Sequence, residues 1–198
     1  MTDTSTLDLG PQARVIARLA EGVSDDQLSG PTPCPEMAVR NLLGHLLGLS
    51  VAFRDAARKD LGATTDTSPD AAVPDLEPGW REELPKVLDE LAEAWREPGA
   101  RSGMTRAGGV DLPGEVAAAV AVDELVIHGW DLARATGQEY TPDPHALRAS
   151  HDFLLAAVDQ PGRDEIFGPV VPVPSGAPLL DRTIGLSGRN PDWAPEGR

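Results

Sequence analysis

The segment 113–136 constrains this chain more than any other. Val116-Ala117-Ala118-Ala119-Val120-Ala121-Val122 is apolar on every side of a helical wheel. A helix formed here is buried all round rather than along one stripe. Asp123-Glu124-Leu125-Val126-Ile127-His128-Gly129-Trp130-Asp131 follows at once. Glu124 and His128 are four apart and share a face, and Asp131 comes three residues later on the same side. That face continues the line of Ala117, Val120 and Ala121. A carboxylate on it is costly unless a counter-charge or a metal meets it. The segment therefore demands surrounding helices and a partner for its charge.

Candidates for those helices are spaced by proline and glycine, which cluster at 30–35, 62–79, 98–114 and 161–178. The stretches between have helical periodicity. The first helix is expected over 11–21, with Pro11 in its first turn and Val15, Ile16 and Leu19 inward. Ser24-Asp25-Asp26-Gln27 has the capping-box pattern of a short turn. A second helix is expected over 36–58, with the stripe Val39, Leu42, Leu43, Leu46, Leu49, Phe53. A third over 80–96 carries Leu84, Val87, Leu88, Leu91 and Trp95. The fourth, 113–136, stops at Gly137. A fifth over 144–159 carries Leu147, Phe153, Leu154 and Val158. Strand-like alternation is hinted at only in 170–173. The reading is all-α: one domain over 1–198, a helical bundle over about 7–160, and a Pro-rich irregular tail over about 161–198.

Charge narrows the partners. Against 32 acidic residues stand 17 basic ones, a net charge of −15, with no basic run. Nucleic acid and anionic membrane surfaces need a positive footprint that this chain lacks. No apolar stretch approaches the roughly 18 residues of a membrane span. The first residues have neither the basic nor the apolar region of a signal peptide. Cys34 is the one cysteine, so no intrachain disulfide forms, as in a reducing compartment. The expected location is the cytoplasm.

A second imidazole, His45, lies on the inner stripe of the second helix, at i+3 from Leu42 and i−4 from Leu49. Two helices can thus present His45, Glu124 and His128 to one point. Two imidazoles and a carboxylate hold zinc or another divalent metal with positions left open. The spacing alone is weak evidence, because with 32 acids among 198 residues and 4 histidines chance supplies about 0.65 acids four before a histidine. The competing reading is a core histidine satisfied by a rim carboxylate. Asp131 is read as a carboxylate orienting an imidazole, with a metal ligand or an ion pair to Arg134 as alternatives. Trp130 is either a pocket wall or packing. Cys34, between two prolines, is read as structural, and His145 and His151 as solvent-exposed. Asp181-Arg182 suggests an ion pair anchoring the tail, and Glu82-Glu83 and Asp164-Glu165 suggest solvated faces.

Pro31-Thr32-Pro33-Cys34-Pro35-Glu36-Met37-Ala38-Val39-Arg40-Asn41-Leu42-Leu43-Gly44-His45-Leu46 resembles the opening motif of actinobacterial metal-binding proteins of the DinB-like superfamily. That group includes the metal-binding domain of mycothiol-dependent maleylpyruvate isomerase. Residues 123–137 resemble its second motif, a Glu four before a His followed by Trp-Asp-Leu-Ala. The stretches 167–169, 177–182 and 188–193 are similar to a subfamily of stand-alone members. The resemblance implies a DinB-like four-helix bundle with an additional helix, and zinc or nickel at His45, Glu124 and His128. It further implies mycothiol or a similar thiol, a small electrophilic substrate, and thiol transfer or thiol-assisted isomerisation. A homodimer is a further expectation. Met37 stands where the motif has Trp. The isomerase also has a C-terminal domain whose arginine assists catalysis, and none of Arg163, Arg182 or Arg189 matches that role. The alternative to an enzyme is a metal-binding or interaction module with a structural metal.

Overall fold

A computed structural model describes residues 7–68, 75–160, 163 and 167–195. Four long helices form the bundle: α1 (Gly10–Glu21), α2 (Val39–Arg58), α4 (Trp80–Arg96) and α5 (Gly114–Thr136). A one-turn helix α3 (Ala63–Asp66) follows α2. Helices α6 (Pro144–Ala157) and α7 (Leu179–Leu186) follow, and a 3-10 turn (Asp25–Gln27) lies between α1 and α2. α2 packs on α4 and α5, and α1 packs on the same two, so the four close a ring around one core. α6 lies on the outer side of α5, and α7 on α6. This explains most of the apolar character of α5: it has neighbours on three sides, and Ala117, Ala118, Ala121, Val122, Leu125 and Val126 are fully buried, but Val116 in its first turn is exposed and Ala119 and Val120 are half-buried, so the helix is not buried all round.

The stripes read from the sequence are the core. Leu42, Leu43, Leu46, Leu84, Leu88 and Leu91 are almost wholly buried. α5 ends as expected, with Gly137 in the left-handed region at φ 72°. Among the described residues no helix is long and apolar enough to cross a membrane.

Five further expectations are corrected. α2 begins at Val39, not at residue 36. The Thr32 hydroxyl donates to the carbonyl of Met37 at 2.8 Å and accepts from the N–H of Cys34, which ties residues 32–37 into a loop. The Asn41 amide oxygen then receives the Ala38 N–H at 3.1 Å and caps the helix. Residues 98–114 hold an antiparallel hairpin, β1 (Met104–Ala107) and β2 (Val110–Pro113), where only a loop was expected. Its turn is Gly108-Gly109, both at positive φ (60° and 77°), the geometry a two-residue hairpin needs. Residues 170–173, the one segment that hinted at a strand, are not a strand. The tail is not wholly irregular, because it carries α7, with Ile184 fully buried. The expected fifth helix is α6, which ends two residues early.

Candidate metal centre

α2 and α5 meet where their polar residues interrupt the core. His45 Nε2 lies 3.3 Å from Glu124 Oε2, and His128 Nε2 lies 3.0 Å from the same oxygen. The two imidazoles stand edge to face, ring centroids 4.7 Å apart. One turn of α5 sets the Glu124–His128 contact, and His45 reaches it from the facing helix. The side chain of Glu124 is 28% exposed and that of His128 only 10%. The three donor groups form one cluster of metal-ligand type.

Behind His128, Asp131 Oδ2 lies 2.9 Å from Nδ1. Asp131 is completely buried. It does not pair with Arg134, which instead donates to the Trp193 carbonyl and lies over the Trp130 ring. Arg189, from the tail, supplies the counter-charge. Its Nε is 3.0 Å from Asp131 Oδ1, and its Nη2 is 3.0 Å from Oδ2. The same Nη2 is 3.8 Å from Cys34 Sγ. Cys34, His128 and Asp131 thus make a second cluster that shares His128 with the first.

Burial works against every charge in this group, and the partners decide the outcome. For Glu124, burial is outweighed by the hydrogen bonds to His128 and His45, which hold it well below the usual carboxylate range. For His128, burial is outweighed by Asp131 and Glu124, which raise it to about 9. Asp131 is lowered because Arg189 and His128 overcome its burial. Cys34 goes the other way: burial and the Asp131 charge raise its thiol despite Arg189. It is no activated nucleophile here. Asp123, one residue before Glu124, faces α6. Burial lifts it to about 7 although Ser150 donates to it at 2.6 Å.

His45, Glu124 and His128 therefore come together, with Asp131 behind them. Trp130 is buried packing. His145 is exposed, as expected, but His151 is not: its side chain is only 14% exposed, 3.4 Å from Asp152. Arg182 donates to the Ser175 carbonyl, not to Asp181. Glu82 and Glu83 are exposed, whereas Asp164-Glu165 lies outside the described residues. The residue that sequence reasoning missed is Arg189. It sits 58 positions from Asp131, and no local periodicity links them.

The donor set fits a divalent ion. With ligand distances near 2 Å and tetrahedral angles, neighbouring donors of a zinc ion lie about 3.3 Å apart. The separations here, 3.3 and 3.0 Å, are of that size. With Asp131 holding Nδ1, His128 is left with Nε2 to give to a metal.

Comparison with known proteins agrees with this architecture. Uncharacterized proteins of Mycobacterium tuberculosis strains CDC 1551 and H37Rv are each 29% identical over 180 residues, covering 88% of this chain and 91% of theirs. Two crystal structures of mycothiol-dependent maleylpyruvate isomerase share the fold at 18% identity. One is a histidine-to-alanine variant at a TM-score of 0.58, and the other matches at 0.55. The match covers 74% of this chain and 66% of the isomerase, so the chain spans just under two thirds of that enzyme. The fold is thus the mostly helical, DinB-like one that the motifs implied. The mycothiol maleylpyruvate isomerase N-terminal domain model matches residues 9–133, from the first helix through both histidines, and by that match the chain belongs to this family.

Proposed function

We propose that this protein binds a divalent metal, zinc in the first instance, through His45, Glu124 and His128, and uses it to activate a low-molecular-weight thiol against a small electrophile. The observation that carries the reading is the convergence of two imidazole nitrogens on one carboxylate oxygen at separations a tetrahedral ion would span. A metal held by three protein donors supplies the positive charge that lowers the pKa of a thiol or water brought to it. The chain's own residues do the rest. His45 comes from α2, Glu124 and His128 come from α5, and Asp131 keeps the His128 ring turned so that Nε2 faces the other two. The solved relatives are named as mycothiol-dependent, which makes mycothiol the first thiol to try.

A second reading is a metal-binding module without that chemistry. It rests on the match covering 66% of the isomerase, so that the whole enzyme's activity does not carry over with the fold. Elemental analysis of protein purified without chelator, followed by thiol-consumption assays on maleylpyruvate and other small electrophiles, separates the readings. About one metal per chain and thiol turnover lost in His128→Ala support the enzyme. Metal without turnover supports the module, and protein that neither carries nor takes up metal defeats both.

A further inference from the structure

The tail of this chain reaches the metal centre at one residue. Arg189 is fixed by its backbone, because its N–H donates to the Ile184 carbonyl at 3.1 Å at the end of α7. Gly188, before it, has φ +81°, and a side chain there would collide with the Phe167 carbonyl. All three guanidinium nitrogens are engaged. Nε and Nη2 grip the two oxygens of Asp131, and Nη1 donates to the Ser187 carbonyl at 3.1 Å. Only 14% of the side chain is exposed. Asp131 in turn accepts at Oδ2 from His128 Nδ1.

We infer that Arg189 is a positioning residue for the metal centre: it locks the buried Asp131 carboxylate, which locks the His128 ring with Nε2 toward Glu124 and His45. The inference rests on the metal reading proposed above. The geometry asks for arginine rather than lysine. A planar fork fixes the plane of a carboxylate through two bonds, whereas an ammonium supplies a single point of charge. Without the fork, His128 is the one partner left to the Asp131 carboxylate among the described residues, and the plane of the pair is no longer fixed by two bonds. The tail is then part of the centre rather than a wrapping around the bundle. Removing the direct outer partner of a metal-ligating histidine costs about ten- to a hundredfold in metal affinity, which bounds the loss expected when Arg189, acting through that partner, is removed.

The test is a double-mutant cycle read by zinc affinity. Wild type, R189Q, D131N and the double variant are titrated against a competing chelator, with H128A as the ligand control and R189K as the conservative variant. The visible spectrum of the cobalt-loaded forms reports ligand geometry. We expect R189Q to bind zinc ten- to a hundredfold more weakly, R189K to fall between it and wild type, and R189Q to add less than twofold in the D131N background. A tail anchor unconnected to the site would add the same loss in both backgrounds, and that result overturns the inference. So does R189Q binding within twofold of wild type while H128A loses zinc, in which case the metal reading survives alone. If wild type binds no zinc, both fall. Should R189Q fail to fold, the cycle is run with R189K, and the His128 Nδ1–H signal in wild-type NMR spectra must be protected from exchange. A fast-exchanging signal overturns the inference without any variant.

Discussion

His128 stands between two carboxylates, one at each ring nitrogen, and its charge state couples the site to pH. In the metal-free protein burial disfavours its cation, but Asp131 and Glu124 prevail and raise it to about 9. A metal needs the neutral ring. Below about pH 9 zinc must therefore displace a proton, and apparent zinc affinity should rise roughly tenfold per pH unit between 7 and 9. Stability of the metal-free protein should move the opposite way. A histidine raised above its ordinary 6.5 contributes in full below 6.5, and the contribution is lost as pH rises through 9. Urea unfolding of the metal-free protein at pH 6 and 8.5 should give the higher midpoint at pH 6, and zinc loading should reverse the order. A flat zinc affinity across this range would mean that His128 is not the displaced group. The convergence of His45, Glu124 and His128 was legible because each lies on a helix whose register the leucines fix. Arg189 was not, because its position depends on how a tail folds back over α6, which no local spacing records.

Gly129 shows how tightly α5 is fitted at the level of elements. A Cβ there would lie 2.7 Å from Ile16 Cδ1 and 2.9 Å from the Tyr140 hydroxyl. That hydroxyl cannot step aside freely, since it donates to the Val126 carbonyl at 2.6 Å and accepts from Gln12 Nε2 at 3.0 Å. Alanine favours helix over glycine by about 1 kcal/mol. Overpacking a filled site costs about 1–3 kcal/mol. The contact is with a hydrogen-bonded ring, so overpacking should win. Gly129→Ala should lower unfolding stability by about 1 kcal/mol in urea titration, and a stabilised variant would mean that Tyr140 yields. Elements of this kind were readable in the sequence where an apolar stripe spans three or more turns, as in α2, α4 and α5. The hairpin was not, because its strands are four residues each and show no alternation. Its one signal is the pair Gly108-Gly109, which within a Pro- and Gly-rich stretch reads equally as loop. The start of α2 was misjudged for a related reason: a threonine hydroxyl, not helix propensity, holds residues 32–37.

At the scale of the whole molecule, charge is the dominant unbalanced quantity. The net charge is −15, and a compact shell of like charge repels itself. Opposing it are exposed pairs such as Arg40–Asp75, Arg81–Asp25 and Arg96–Asp8. Salt screens both. Each exposed pair is worth between nothing and about 1 kcal/mol, and the arginines in them are already counted in the net charge. The repulsion acts between many carboxylates at longer range, and it is the long-range part that a Debye length shrinking from about 30 to about 8 Å removes first. Screening should therefore stabilise the fold. The Arg189–Asp131 pair lies too deep to be much affected. Raising sodium chloride from about 10 to 150 mM should lift the urea midpoint at constant slope, by a free energy of about 1 kcal/mol, the scale of exposed charge effects. Zinc-loaded protein should gain less than metal-free protein, because the ion, net of the proton it displaces from His128, offsets one negative charge. A midpoint that falls with salt would show that the exposed arginine pairs, not the excess of carboxylates, govern the electrostatic stability of this molecule.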